Sequence, residues 1–342
     1  MEFCLTTSSM AVNIVCNLLI FVVGTYVLIK GSDLFVDAAA AIARAWNVSE
    51  MVIGLTLVSI GTSLPELSTS LLAQINHDSD FVIGNIAGSN VTNITLLLGA
   101  TVAFCGALTF SPKLLSRDSI LMNAIFLVSC LMFFLCPKID GMYNLNRICG
   151  AVLVAGAVCY SWFLFKTPGG GGDEEENQKD TSSAKPLYVQ FLLLVAGLAM
   201  IILGSKGMVE PVEWGAEAIG VSTIIISATI VAFGTSVPEL AVTIVGVLKK
   251  KADMAIGNII GSCIFNILLI FGICALFSPL KITSGKVGII NLLLMLPAGI
   301  LLTIAMWLGR KKHTLSRFEG IVLFLLYCAF AAFNIWCGFR HI

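Results

Sequence analysis

Apolar residues in this chain run in long continuous stretches broken by short polar segments, rather than alternating with polar residues at the period of two expected of barrel strands. Nearly every stretch approaches the ~20 residues that a helix needs to cross a bilayer. The pattern predicts ten helical spans, near 11–30, 50–76, 80–106, 117–136, 146–166, 187–208, 222–248, 252–277, 287–308 and 317–338. Between the fifth and the sixth lies 167–186, TPGGGGDEEENQKDTSSAKP, which is Gly-rich, then acidic, then polar. It cannot bury enough apolar surface to order itself, so it is expected to be a flexible linker joining a 1–166 unit to a 187–342 unit. The run at 10–29 lacks the basic start and small-residue cleavage site of a signal peptide and reads as the first span.

The two units repeat each other. Residues 53–99 and 226–272 align without a gap at an offset of 173, with 20 of 47 positions identical. The alignment extends upstream, pairing Gly24, Gly31 and Ser32 with Gly197, Gly204 and Ser205, and Val48 and Ser49 with Val221 and Ser222. A unit with an odd number of spans must be followed by one that enters from the opposite side. The expected fold is therefore all-α integral membrane: ten transmembrane helices in two inverted-topology five-helix repeats.

Composition sharpens this. Hydrophobic residues make up 58% of the chain and charged residues only 12%, with a mean hydropathy of +0.97, far from the balance of soluble domains. The net charge is zero and the basic residues are scattered through short loops, which leaves no footprint for nucleic acid. Nothing marks an obligate protein partner; the lipid bilayer is the expected surrounding. Of the 20 Lys and Arg residues, 14 fall in the odd-numbered loops and the linker. By the positive-inside rule the linker and the Lys249, Lys250, Lys251 turn should be cytoplasmic and both termini outside. The 11 cysteines stand singly, without a CxxC pair, and read as small apolar fillers.

The chemistry is concentrated in two motifs, each present twice. In GTSLPE, Pro65 removes a backbone donor inside a span, so the helix should break around residues 61–65 and free carbonyls such as those of Val58 and Ser59. Glu66 follows the proline and Thr62 and Ser63 precede it by about one turn, which gathers hydroxyl, carbonyl and carboxylate oxygens. The second copy repeats the arrangement with Thr235, Ser236, Pro238 and Glu239, and with a carbonyl at Ala232. In GNIAGSNVTN and GNIIGSCIFN, Ser89 with Asn93 and Ser262 with Asn266 lie four residues apart on one helix face. Gly84, Gly88, Gly257 and Gly261 recur at the small-xxx-small spacing that permits close helix approach.

A lone proline in a membrane helix is usually only a kink, and a lone small-residue pair usually only packing. A glutamate at membrane depth is different, costing roughly 2.5–3.5 kcal/mol even on lenient scales, and two at matching positions point to function. The cluster Glu210, Glu213 and Glu217, near a span end, reads as solvated surface. Two carboxylates among neutral oxygens suit Ca2+, which takes six to eight hard ligands, and the same oxygens suit Na+. Within the motifs no His and only Cys263 is available to a soft metal.

The doubled GTS-x-PE-L and GN-x-x-GS-x-x-x-N segments resemble the alpha repeats of the sodium/calcium exchangers, within the cation/calcium exchanger superfamily and nearest its compact prokaryotic members. The resemblance covers the chain in length, span count and linker position. It implies Glu66 and Glu239 as principal Ca2+ ligands. Thr62, Ser63, Thr235, Ser236, Ser89 and Ser262 would serve Na+ or Ca2+ through side-chain oxygens, and Ser59 and Ala232 through backbone carbonyls. Some members, including potassium-dependent ones, carry Asp where this chain has Asn266, which disfavours K+ co-transport. The proton-coupled calcium exchangers resemble GN-x-x-E, where this chain has Gly88 and Gly261.

The expected function is an electrogenic Na+/Ca2+ antiporter of the plasma membrane, the inner membrane if the cell is bacterial, with the two ions as substrates and no cofactor. K+- or H+-coupled exchange is the nearest alternative, and a cation channel the alternative of a different class. No nucleophile with a base and no phosphate-cradling loop argues for an enzyme.

Overall fold

The structure is a computed structural model that describes residues 10–139, 141–166, 186–219, 232–283, 286–308 and 313–340. Twelve helices are named in chain order: α1 (Met10–Ala45), α2 (Glu50–Thr62), α3 (Leu64–Ile75), α4 (Ser79–Cys105), α5 (Leu114–Leu135), α6 (Arg147–Lys166), α7 (Leu187–Ala218), α8 (Ala232–Thr235), α9 (Val237–Leu248), α10 (Ala252–Phe277), α11 (Lys286–Leu308) and α12 (Arg317–Arg340). Four two-residue strands accompany them: β1 (Leu108–Thr109), β2 (Asn144–Leu145), β3 (Leu280–Lys281) and β4 (Thr314–Leu315).

Among the described residues seven helices are long and apolar enough to span a membrane, and an eighth span results if α2 and α3, bent by 44° at their junction, count as one. This is a multi-pass membrane protein. The expected span at 222–248 is described only from 232 onward, where α9 is a short apolar helix of 12 residues, and the linker at 167–185 lies outside the described residues. α12 is a helix of 24 residues but is not among those eight spans. The first and sixth spans are longer than the apolar runs implied: α1 has 36 residues and α7 has 32, extending into stretches that carry Asp33, Asp37 and Glu210. Burial separates the helices into two classes. In α4 and α10, 72% and 83% of the most apolar window is buried, against 22% in both α1 and α7. The motif-bearing helices are thus sheathed by protein, while α1 and α7 present residues such as Val22, Val23 and Leu192 outward.

α1 and α7 cross antiparallel at backbone contact. A Cβ on Gly24 would stand 2.5 Å from the Gly207 carbonyl carbon, and one on Gly197 would stand 2.8 Å from the Phe35 amide. Residue numbers therefore rise along one helix as they fall along the other, and only glycine fits at the crossing. The repeat is visible in local geometry as well. Asp78 caps α4 by accepting from the Phe81 amide at 3.0 Å. The turn before it holds His77 at φ 62°, and the turn after α9 holds Lys250, its partner at the repeat offset, at φ 61°. Cross-unit packing is exchanged in kind: α4 meets α12 at Gly99 against Gly320, and α10 meets α6 at Gly272 against Gly150. β1 pairs antiparallel with β4, and β2 with β3, so loops of each half are stitched to loops of the other.

Candidate functional site

The break expected at GTSLPE is present in both copies. Ser63 and Ser236 sit as single turn residues, φ −85° and −91°, between the end of the preceding helix and a fresh helix with Pro65 or Pro238 in its first turn. A proline there needs no amide donor and its φ already suits the helix. The next residue in each case is the glutamate. Glu66 and Glu239 are both 1% exposed.

Glu239 is served by the serine of the opposite copy, whereas Ser236 lies near Glu66 without a hydrogen bond from its hydroxyl. Ser63 Oγ donates to Glu239 Oε1 at 3.1 Å, and Thr62 stands beside the same carboxylate. Thr235 and Ser236 stand beside Glu66. Thr62 Oγ1 also donates to Asn258 Oδ1 at 3.1 Å and approaches the Ser59 carbonyl at 3.3 Å. Ser59 Oγ lies within hydrogen-bond distance of both the Gly54 and the Asn258 carbonyls, at 2.6 and 3.0 Å, so its single proton is donated to one or shared between them.

The expectation that the proline frees the Ser59 carbonyl does not hold. That oxygen accepts from the Ser63 amide at 3.1 Å as well as from Thr62, because the missing Pro65 donor is the one due to the carbonyl four residues earlier, Gly61. Ala232 is the first described residue of α8 and lies four residues before Ser236.

Asn93 and Asn266 each open a π-helical stretch, 93–97 in α4 and 266–271 in α10. π-Bulges inside α-helices are frequent at functional sites. Both side chains are 1% exposed, and Asn266 Nδ2 donates to Asn90 Oδ1 at 2.9 Å. Ser89 and Ser262 are buried on the same helices. Gly257 and Gly261 admit α2 at backbone distance, a Cβ on Gly257 lying 3.1 Å from the Met51 carbonyl. At the repeat offset Gly84 and Gly88 answer to a segment that lies outside the described residues.

Six buried side-chain atoms of these motifs have no hydrogen-bond partner among the described residues: Glu66 Oε2, Glu239 Oε2, Asn93 Oδ1, Asn266 Oδ1, Ser236 Oγ and Ser262 Oγ. All six are oxygens. A buried oxygen without a partner costs about 1–3 kcal/mol, more for a charged group, so six of them are costly unless something else satisfies them. Hard cations do that, and the set offers two negative charges and neutral oxygens for one.

Three polar side chains here were not singled out from the sequence. Asn85 donates to Ser70 Oγ at 3.0 Å, and Asn258 to Thr243 Oγ1 at 3.4 Å, the same bond at the repeat offset. Their signal was available, since each is the Asn of a doubled GN. Asn90 has Cys263 as its counterpart and so left no repeat signal.

The profile of the sodium/calcium exchanger protein family matches residues 16–166 and 189–336. The sodium/calcium exchanger MaX1 of Methanosarcina acetivorans is 33% identical over 356 residues, covering 93% of this chain and 98% of that one. The inner membrane protein YrbG of Escherichia coli is 33% identical over 266 residues, 76% of this chain and 79% of its own. The fold superposes on the sodium-calcium exchanger NCX_Mj, soaked with Na+ and no Ca2+, with a TM-score of 0.76 at 29% identity, covering 93% and 99% of the two chains. With matches running through both halves and their paired GTS-x-PE segments, the chain belongs to the sodium/calcium exchanger family.

Proposed function

We propose that the protein is a secondary active antiporter that exchanges Na+ for Ca2+ by alternating access, in the plasma membrane or, in a bacterium, the inner membrane. The observation that carries this reading is the set of six unpartnered buried oxygens contributed by two copies of one segment. Glu66 and Glu239 bind Ca2+ and balance its charge. Thr62, Ser63, Thr235, Ser236, Ser89, Ser262, Asn93 and Asn266 supply neutral oxygens to Ca2+ or to Na+, as do backbone carbonyls at Ala232 and Ser59. The Ser59 oxygen would have to exchange a hydrogen bond for the ion, which makes it the weakest member of the set. Overlapping ligands make the two ions compete, and competition at one site is what couples their movement.

The architecture in this reading is two five-helix units, 1–166 and 187–342, inverted with respect to one another, with a cytoplasmic linker at 167–186 and both termini outside. The antiparallel α1–α7 crossing and the exchanged contacts of Gly99–Gly320 and Gly272–Gly150 support it. α1 and α7, the least buried of the seven described spans, slide across the sheathed α4 and α10 as the occupant changes. Asn266 in place of a third carboxylate favours exchange without K+.

The test is uptake of radioactive Ca2+ into Na+-loaded liposomes containing the purified chain, with K+, H+ and Mg2+ gradients varied in turn. Na+-driven uptake against a Ca2+ gradient is expected. Ca2+ movement that only ever runs downhill would identify a channel instead.

A further inference from the structure

Cys136 ends α5 and Cys149 lies in the first turn of α6, and their Sγ atoms are 3.0 Å apart, about 1 Å more than the ~2.05 Å of a disulfide bond. Both are free thiols, both are partly exposed, and both border a surface cavity of ≈ 440 Å³ with Leu131, Leu135 and Pro137.

The pairing is held by the connection between the two helices. Asn144 Nδ2 donates to the Pro137 carbonyl at 2.7 Å, Ile139 bridges Met142, and the Cys149 amide donates to Asn146 Oδ1 at 2.9 Å. Cys136 itself is extended, φ −62° and ψ 143°, which turns it out of the helix. The same connection carries β2, which pairs with β3 of the other half.

We propose that Cys136 and Cys149 are a redox pair that closes to a disulfide and staples the ends of α5 and α6. The staple also fixes the segment that docks β2 onto β3. The oxidant is a small or protein-borne disulfide. One thiolate attacks it, forming a mixed disulfide and releasing the first leaving thiol; the second thiolate then displaces the other, so two thiols and one disulfide become one disulfide and two thiols. In the topology proposed above this end of the molecule faces outside, where disulfides persist. That placement rests on the proposed orientation, whereas the closure itself does not.

The test uses the purified full chain in detergent, treated with dipyridyl disulfide or with dithiothreitol, alkylated, and read by intact mass and by non-reducing proteolysis. In the oxidised protein Cys136 and Cys149 are expected to carry neither an alkyl nor a pyridylthio group and to appear in a peptide pair linked through them. Its Tm is expected to rise on the order of a few degrees over the reduced form, and Cys149→Ser should show no such redox-dependent shift. Alkylation of both thiols after oxidation, or a redox-dependent shift of equal size in Cys149→Ser, would overturn the proposal. Ca2+ exchange, measured in parallel, separates this result from the site assignment: failure of exchange with the linked peptide present leaves the staple standing.

Discussion

A buried carboxylate in a membrane protein needs a partner, and Glu66 and Glu239 each keep one oxygen without any. Replacing either by Gln preserves volume and removes the charge that offsets Ca2+. Loss of an outer-shell partner alone costs roughly 10–100-fold in metal affinity, so loss of a charged ligand should exceed that, and Ca2+ exchange in Glu66→Gln or Glu239→Gln is expected to fall below about one hundredth of wild type. Both variants should elute as monodisperse as wild type in size-exclusion chromatography; near-normal exchange in either would displace that glutamate from the site. Asn266→Asp makes a different demand. It removes the amide that donates to Asn90 Oδ1 and adds a third carboxylate to the proposed site. Like charges that share a site compete for cations and protons, so exchange should come to depend on K+ or on pH. Profiles unchanged along both axes would put Asn266 outside the pocket. At this scale the sequence was informative where the repeat spoke twice. Glu66 and Glu239 announced each other, and so, unread, did Asn85 and Asn258. Asn90 faced a cysteine at the repeat offset and stayed silent. The hydrogen bonding of the Ser59 carbonyl depended on the turn at Ser63, which the motif alone does not fix.

Helices follow from the apolar runs, yet α1 and α7 run on through Asp33, Asp37, Glu210 and Glu213, because a helix satisfies its own backbone whether lipid or water surrounds it. Their length was therefore hidden from hydropathy, and the π-helical stretches at Asn93 and Asn266 had no sequence signature. The bend at Ser63 did have one in Pro65. If α1 slides, what holds it matters. Lys249, just past α9, pairs with Asp37 at 2.8 Å and Asp33 at 3.3 Å and donates to the Asp33 carbonyl at 2.9 Å. At the repeat offset its counterpart is Asn76, which carries no charge. Partly exposed pairs contribute about 0.2–1 kcal/mol and are screened by salt. Lys249→Gln is thus expected to change the exchange rate by no more than about fivefold, with the difference shrinking as impermeant salt is raised; a difference that does not respond to salt would show that Lys249 acts through something other than its charge. The glycine crossing is less forgiving. Gly204→Val would drive a side chain into the Leu28 backbone. Overpacking of this kind costs about 1–3 kcal/mol, and both Tm and exchange should drop; a variant with wild-type Tm and exchange would mean that the two helices separate freely there.

For the whole molecule the decisive quantity is charge carried per cycle. In the proposed site two ionised glutamates would balance one Ca2+, so the Ca2+-loaded site would cross close to neutral. The neutral oxygens around them, on Thr62, Ser63, Thr235, Ser236, Ser89, Ser262, Asn93 and Asn266, are numerous enough to hold several Na+, and more than two would leave net positive charge on the Na+-loaded site. Unequal charge then crosses in the two half-cycles, and each net elementary charge is worth about 2.3 kcal/mol per 100 mV. An inside-negative potential should therefore drive Na+ in and Ca2+ out. The measurement clamps liposome potential with valinomycin and K+ while following Na+-dependent Ca2+ flux, with a protonophore-based clamp as control in case K+ is itself carried. Acceleration in the direction set by potential is the expected outcome under both clamps. Flux indifferent to potential would mean two monovalent ions per Ca2+, in which case the neutral oxygens serve to shape the pocket rather than to load additional Na+.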